Sequence, residues 1–149
     1  MKTLVVYFSR KGYVKQIAEG IAHDLGADLL ALNTPERTEG VLGFWWCGRF
    51  GMHRWGMQLL PYDADVSAYE KVIICSPVWV FSVCAPVRQF LMESAGKIKA
   101  ADYVLVHFSH AMGYPKTVAW MDRTLGLAHS GITSVCCMWG RTFGRKATA

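Results

Sequence analysis

Runs of apolar positions alternate with helical periods along most of this chain. Thr3 to Phe8 is a continuous apolar and β-branched run, the pattern of a strand buried on both faces. Ser9-Arg10-Lys11-Gly12 breaks it. Val14, Ile17, Ala18, Ile21, Ala22 and Leu25 then recur at three- and four-residue steps, which predicts a helix that stops at Gly26. Asp28 to Leu32 reads as a second, weaker strand, completing a βαβ unit.

Thr34 to Ala68 is less regular. Val41 to Met57 carries Phe44, Trp45, Trp46, Phe50, Met52, Trp55 and Met57 among glycines, and reads as an irregular helix or a long aromatic loop. Regularity returns with the strand Val72 to Cys75, ended by Ser76-Pro77. Pro86, Val87, Phe90 and Leu91 suggest a helix with proline in its first turn. Tyr103 to Phe108 is another strand. Pro115 opens a helix carrying Val118, Met121 and Leu125, and Ile132 to Trp139 is a last strand. Arg141 to Ala149 reads as a basic tail. Alternating strands and helices argue for an open parallel α/β sheet.

The chain has 149 residues, the size of one domain, so residues 1–149 are expected to form a single unit. Its hydrophobic share of 52% allows a sizeable core. No apolar run is long enough for a transmembrane helix, and no cleavable leader is evident, so no membrane partner is expected. Five cysteines without zinc-type spacing suit reduced thiols and a cytoplasmic setting. The net charge of +5 favours anionic ligands.

Three segments leave strands in a similar way: Ser9-Arg10-Lys11-Gly12, Ser76-Pro77-Val78-Trp79 and Ser109-His110-Ala111-Met112-Gly113. In a parallel sheet they gather on one edge, where doubly wound folds bind ligands. The first turn runs into a helix N-terminus, a ready anion site. It matches neither the P-loop nor the glycine-rich dinucleotide pattern. From the turn alone, anion binding and a plain connection are equally supported. In the second loop, Trp79 and Phe81 suit stacking on a flat ring, or packing against the aromatic segment.

Val5-Val6-Tyr7-Phe8-Ser9-Arg10-Lys11-Gly12 resembles the opening of the flavodoxin-like family, in which such a loop holds the phosphate of FMN. Tyr69 to Trp79 is similar to that family's third-strand segment, and Pro86 to Leu91 to the helix after it. The resemblance implies a doubly wound five-stranded parallel sheet in the order 2-1-3-4-5. It also implies FMN as cofactor. Ser9, Arg10, Lys11, Gly12, Tyr13 and Val14 would cradle the phosphate. Pro77, Val78, Trp79, Val80 and Phe81 would flank the isoalloxazine. Ser109, His110 and Gly113 fall where the family's third flavin-contacting loop would be.

The chain departs from the family at Lys11, Tyr13 and Val14, where hydroxyl or amide side chains are usual. Its sequence pI of about 9.0 departs from the acidic electron carriers. The family's C-terminal helix is not evident after the last strand. The implied function is FMN-dependent redox chemistry toward a quinone-like or other small electrophile, or a redox protein. The alternative is a binding module that keeps the fold without tight flavin binding and acts through its aromatic segment.

Cys84 precedes a helix start, where a thiol pKa can fall, but beside Val83 and Ala85 it reads better as a small buried hydrophobe. Cys136 and Cys137 read as core residues. His110 is the one histidine in a predicted ligand loop. The aromatic segment suits packing against the sheet first and a pocket lid second. Nucleic acid ranks last, since no binding motif for it is present. An apolar final strand at the sheet edge and the tryptophan-rich segment together suggest a homodimer.

Overall fold

The structure is a computed structural model, and it describes residues 2–10, 12–36, 38–79, 82–107, 114–138 and 141–148. Strand β1 (Thr3–Tyr7) leads through the Ser9–Gly12 turn to helix α1 (Tyr13–Leu25), then β2 (Asp28–Ala31). Helix α2 (Gly40–His53) follows, then β3 (Lys71–Trp79), the short β4 (Ser82–Val83) and α3 (Ala85–Glu93). The chain continues through β5 (Ala101–His107), α4 (Pro115–Leu125), β6 (Gly131–Met138) and β7 (Arg141–Thr148).

The sheet order is β2-β1-β3-β5-β6-β7, with β4 folded back on β3 as an antiparallel hairpin. The first five strands are parallel, in the order expected from the sequence. Chain order reverses between β1 and β3. That switch point lies at the end of the sheet where β1, β3 and β5 finish.

Alternation along these strands builds two cores. Leu4, Val6, Val72, Ile74, Tyr103 and Leu105 face one side, where Val87, Phe90 and Leu91 of α3 and Val118, Met121 and Leu125 of α4 cover them. Val5, Tyr7, Ile73, Cys75, Val104 and Val106 face the other side, covered by Val14, Ala18 and Ala22 of α1. Strands with both faces buried must be apolar at every position, which is why they read as continuous runs.

Two expectations change. The segment from Val41, expected as an irregular helix or a long loop, lies in a regular helix of 14 residues, Gly40–His53. The run after Trp139, read as a tail, is β7, antiparallel to β6 with a register shift between Cys136 and Cys137. The edge of β6 is therefore paired, and the argument for a homodimer through that edge loses its premise. No described helix is long and apolar enough to cross a membrane.

Candidate functional site

The turn from β1 into α1 is closed by its own residues. The Gly12 N–H donates to Ser9 Oγ over 2.8 Å. Gly12 has φ of 92°, a left-handed conformation in which glycine is strongly preferred. A Cβ added there would meet nothing within 4 Å, so the turn opens onto free space. Helix α1 receives no side-chain cap, and its first turn carries no acidic residue. The Gln16 N–H bonds the Gly12 carbonyl, so the N–H groups of Tyr13, Val14 and Lys15 have no acceptor within the helix. These donors and the positive end of the helix dipole suit an anion.

The side chains of this turn have separate fates. Val14 is buried in the second core, so only its backbone can reach a ligand. Tyr13 is half-buried against the same core. Arg10 turns away to α2: its Nε donates to the Thr38 carbonyl over 2.6 Å and its Nη2 to the Gly40 carbonyl over 2.7 Å. The guanidinium also lies 5.5 Å from the Phe44 ring centroid. Arg10 thus ties the β1–α1 turn to the start of α2. Lys11 lies outside the described residues.

The end of β3 borders this turn, because β1 and β3 are hydrogen-bonded neighbours. Pro77, Val78 and Trp79 are half-buried there. Trp79 meets Phe8 edge-on, with ring centroids 5.7 Å apart. Trp79 opposes Ser82 and Val78 opposes Val83, which folds the strand end into a hairpin. Val80 and Phe81, together with Ser109, His110 and Gly113, lie outside the described residues. Strand β5 does end beside β3 on this edge of the sheet, at His107.

One supporting residue had no signal in the sequence. Arg88 of α3 is only 6% exposed. Its Nη2 donates to Ser82 Oγ over 2.6 Å, and its guanidinium lies 4.1 Å from the Trp120 ring centroid. Burial, then repulsion from Arg54, lowers its pKa. A buried cation on Ser82 fixes the hairpin that carries Trp79.

Cys84 is the N-cap of α3, and its N–H donates to Ser76 Oγ over 3.2 Å. Burial pushes its thiol up to about 12 despite the hydrogen bond from Ser76 that lowers it. Desolvation outweighs the helix terminus, and Cys84 is a buried hydrophobe rather than a reactive thiol. His107 is buried 2.7 Å from Ser134 of β6. Asp122 accepts from Tyr103 over 2.7 Å and lies 2.9 Å from His129 Nδ1, near the start of β5 and so far from the turn. Among the described residues, no group of three potential ligands could hold a metal ion.

No protein-family model matches the chain, and no curated protein matches its sequence. Solved structures do match. A flavoprotein from Lactobacillus acidophilus, in complex with FMN, superposes with a TM-score of 0.72 at 20% identity, covering 89% of this chain and 91% of that one. A putative flavoprotein from Bacteroides eggerthii matches with a TM-score of 0.72 at 18% identity, covering 95% and 89%. A WrbA-like flavodoxin from Agrobacterium tumefaciens matches at 0.54 and 16% identity, covering 85% and 74%. Strand order, helical cover on both faces and these superpositions agree: the chain has the flavodoxin-like fold.

Proposed function

We propose that the chain binds FMN, with the phosphate at the β1–α1 turn, and serves flavin redox chemistry toward a quinone-like or other small electrophile or a redox protein. The observation that carries this reading is the open N-terminus of α1. Its N–H groups without a helical acceptor, glycine approach and first turn without acidic residues suit a phosphate. They stand at the switch point of the sheet, the usual ligand position in this architecture. The FMN held by the Lactobacillus acidophilus flavoprotein supports the same reading.

Tyr13, Val14 and Lys15 would offer backbone donors to the phosphate, Gly12 would allow its close approach, and Ser9 would add a hydroxyl and Lys11 charge. Pro77, Val78 and Trp79 would border the ring, with Val80, Phe81, Ser109, His110 and Gly113 completing the enclosure. Bound FMN would supply the electron chemistry. The protein's part is to fix the ring, through Phe8 behind Trp79 and Arg88 behind the hairpin.

Calorimetry with FMN and riboflavin tests the reading. FMN should bind more tightly, and Lys11→Glu should weaken FMN more than riboflavin. Equal affinity for the two would remove the phosphate from this turn. No binding of either would favour the module that keeps the fold without flavin.

A further inference from the structure

Helix α2 carries its small residues inward and its large apolar ones outward. Its inward side is small: Gly43, Cys47 and Gly51 are buried. Its outward side is large and apolar, with Val41 at 75% exposure, Trp45 at 71% and Met52 at 68%. At 3.6 residues per turn, Val41, Met52, Trp45, Arg49 and Leu42 fall within an arc of about 100°. Among the described residues, seven of the eleven exposed large hydrophobic side chains lie between Val41 and Trp55. Such concentration marks an interaction surface.

We propose that α2 docks on an anionic lipid surface, with Val41, Leu42, Trp45 and Met52 entering the headgroup boundary and Arg49 meeting lipid phosphates. The charge pattern fits this occupant. From Gly40 to Tyr62 the sequence holds no Asp or Glu, while it holds Arg49, Arg54 and His53. Acids border this stretch at both ends: Glu39 is the N-cap of α2, Glu36 accepts from the Trp46 indole over 2.8 Å, and Asp63 follows Tyr62. What α2 shares with membrane-interface helices is an exposed apolar arc that carries tryptophan beside a cation. Docking on a surface needs no spanning helix.

Two other occupants fit less well. A second copy in a two-fold contact over α2 would have only Glu36 and Glu39 to offset its cations, and Glu36 already accepts from the Trp46 indole. A nucleic acid needs free aromatic faces. Phe50 meets Trp46 and Trp55 edge-on at 5.5 and 5.7 Å, and His53 stacks on Trp55 at 4.3 Å. The aliphatic side chains beside Trp45 are no platform for bases. The inference stands apart from flavin binding.

Sedimentation of the full chain with phosphatidylcholine vesicles, with and without phosphatidylserine, provides the test. The expected result is binding to the anionic vesicles alone, a blue shift of tryptophan fluorescence, and release by salt. Trp45→Ala and Arg49→Glu should each weaken binding by about tenfold, with thermal melts confirming that both variants fold. Several results would overturn the proposal: no binding to anionic vesicles, binding that both variants leave intact, a dimer in light scattering that Trp45→Ala dissolves, or single-stranded oligonucleotide binding through these residues without vesicle binding.

Discussion

The Arg10 guanidinium donates to the Thr38 carbonyl oxygen over 2.6 Å, across 28 residues of sequence. A second bond reaches Gly40. Arg10→Ala leaves two acceptors at the start of α2 to solvent and should cost about 1–2 kcal/mol in urea denaturation. Arg10→Lys should restore little of this, because one ammonium cannot reproduce the two-nitrogen geometry. If Arg10 instead acts on a bound phosphate, its loss will reduce FMN affinity in a salt-dependent way and leave stability unchanged.

Arg88 gives a second expectation. Truncation to alanine removes both the Ser82 hydrogen bond and the guanidinium stacked on Trp120. Stability should fall by about 2 kcal/mol. The hairpin carrying Trp79 should loosen as well, which near-ultraviolet circular dichroism would register. An unchanged aromatic spectrum would show that Phe8 alone holds Trp79.

Alkaline stability follows from the buried thiols. Burial raises Cys75 and Cys84 to about 12 and Cys47 to about 11, from 9.0. Each folded pKa lies above the unfolded one, so above pH 9 the unfolded chain releases protons that the folded chain keeps. Stability is unaffected below that point and falls as pH rises through it, by about 1.4 kcal/mol per unit for each thiol. Urea midpoints measured from pH 8 to 10.5 should decline, and Cys84→Ala should flatten the decline. A flat profile in the parent protein would mean the thiols are not desolvated.

Some of this was legible in the sequence, and the reasons differ by element. Strands β1, β3 and β5 are buried on both faces, so every position reports the same environment. Ser9 and Gly12 were legible as a turn because their interaction is local. The strand β7 was not, since a short basic run at a sheet edge has no apolar period to show. The bonds of Arg10 to Thr38 and Gly40 have no local signal, because these partners are remote in sequence. Helix α2 was obscured by its inversion, with large apolar residues outside and glycines inside.

That inversion yields a pair of glycine substitutions with opposite signs. Gly43 sits on the buried side of α2, and a Cβ there would collide with the backbone of Thr38. Thr38 cannot yield freely, because its carbonyl is held by Arg10. Gly43→Ala should therefore push α2 outward and lower the melting temperature, despite alanine's better helix propensity. Gly48 lies in the same helix, but a Cβ there meets nothing within 4 Å. With no steric cost, Gly48→Ala should stabilise by up to about 1 kcal/mol. Propensity alone would make both variants more stable, so only close approach of α2 to Thr38 separates them. A thermal melt in which Gly43→Ala matches Gly48→Ala would refute that approach, and with it the tether from Arg10.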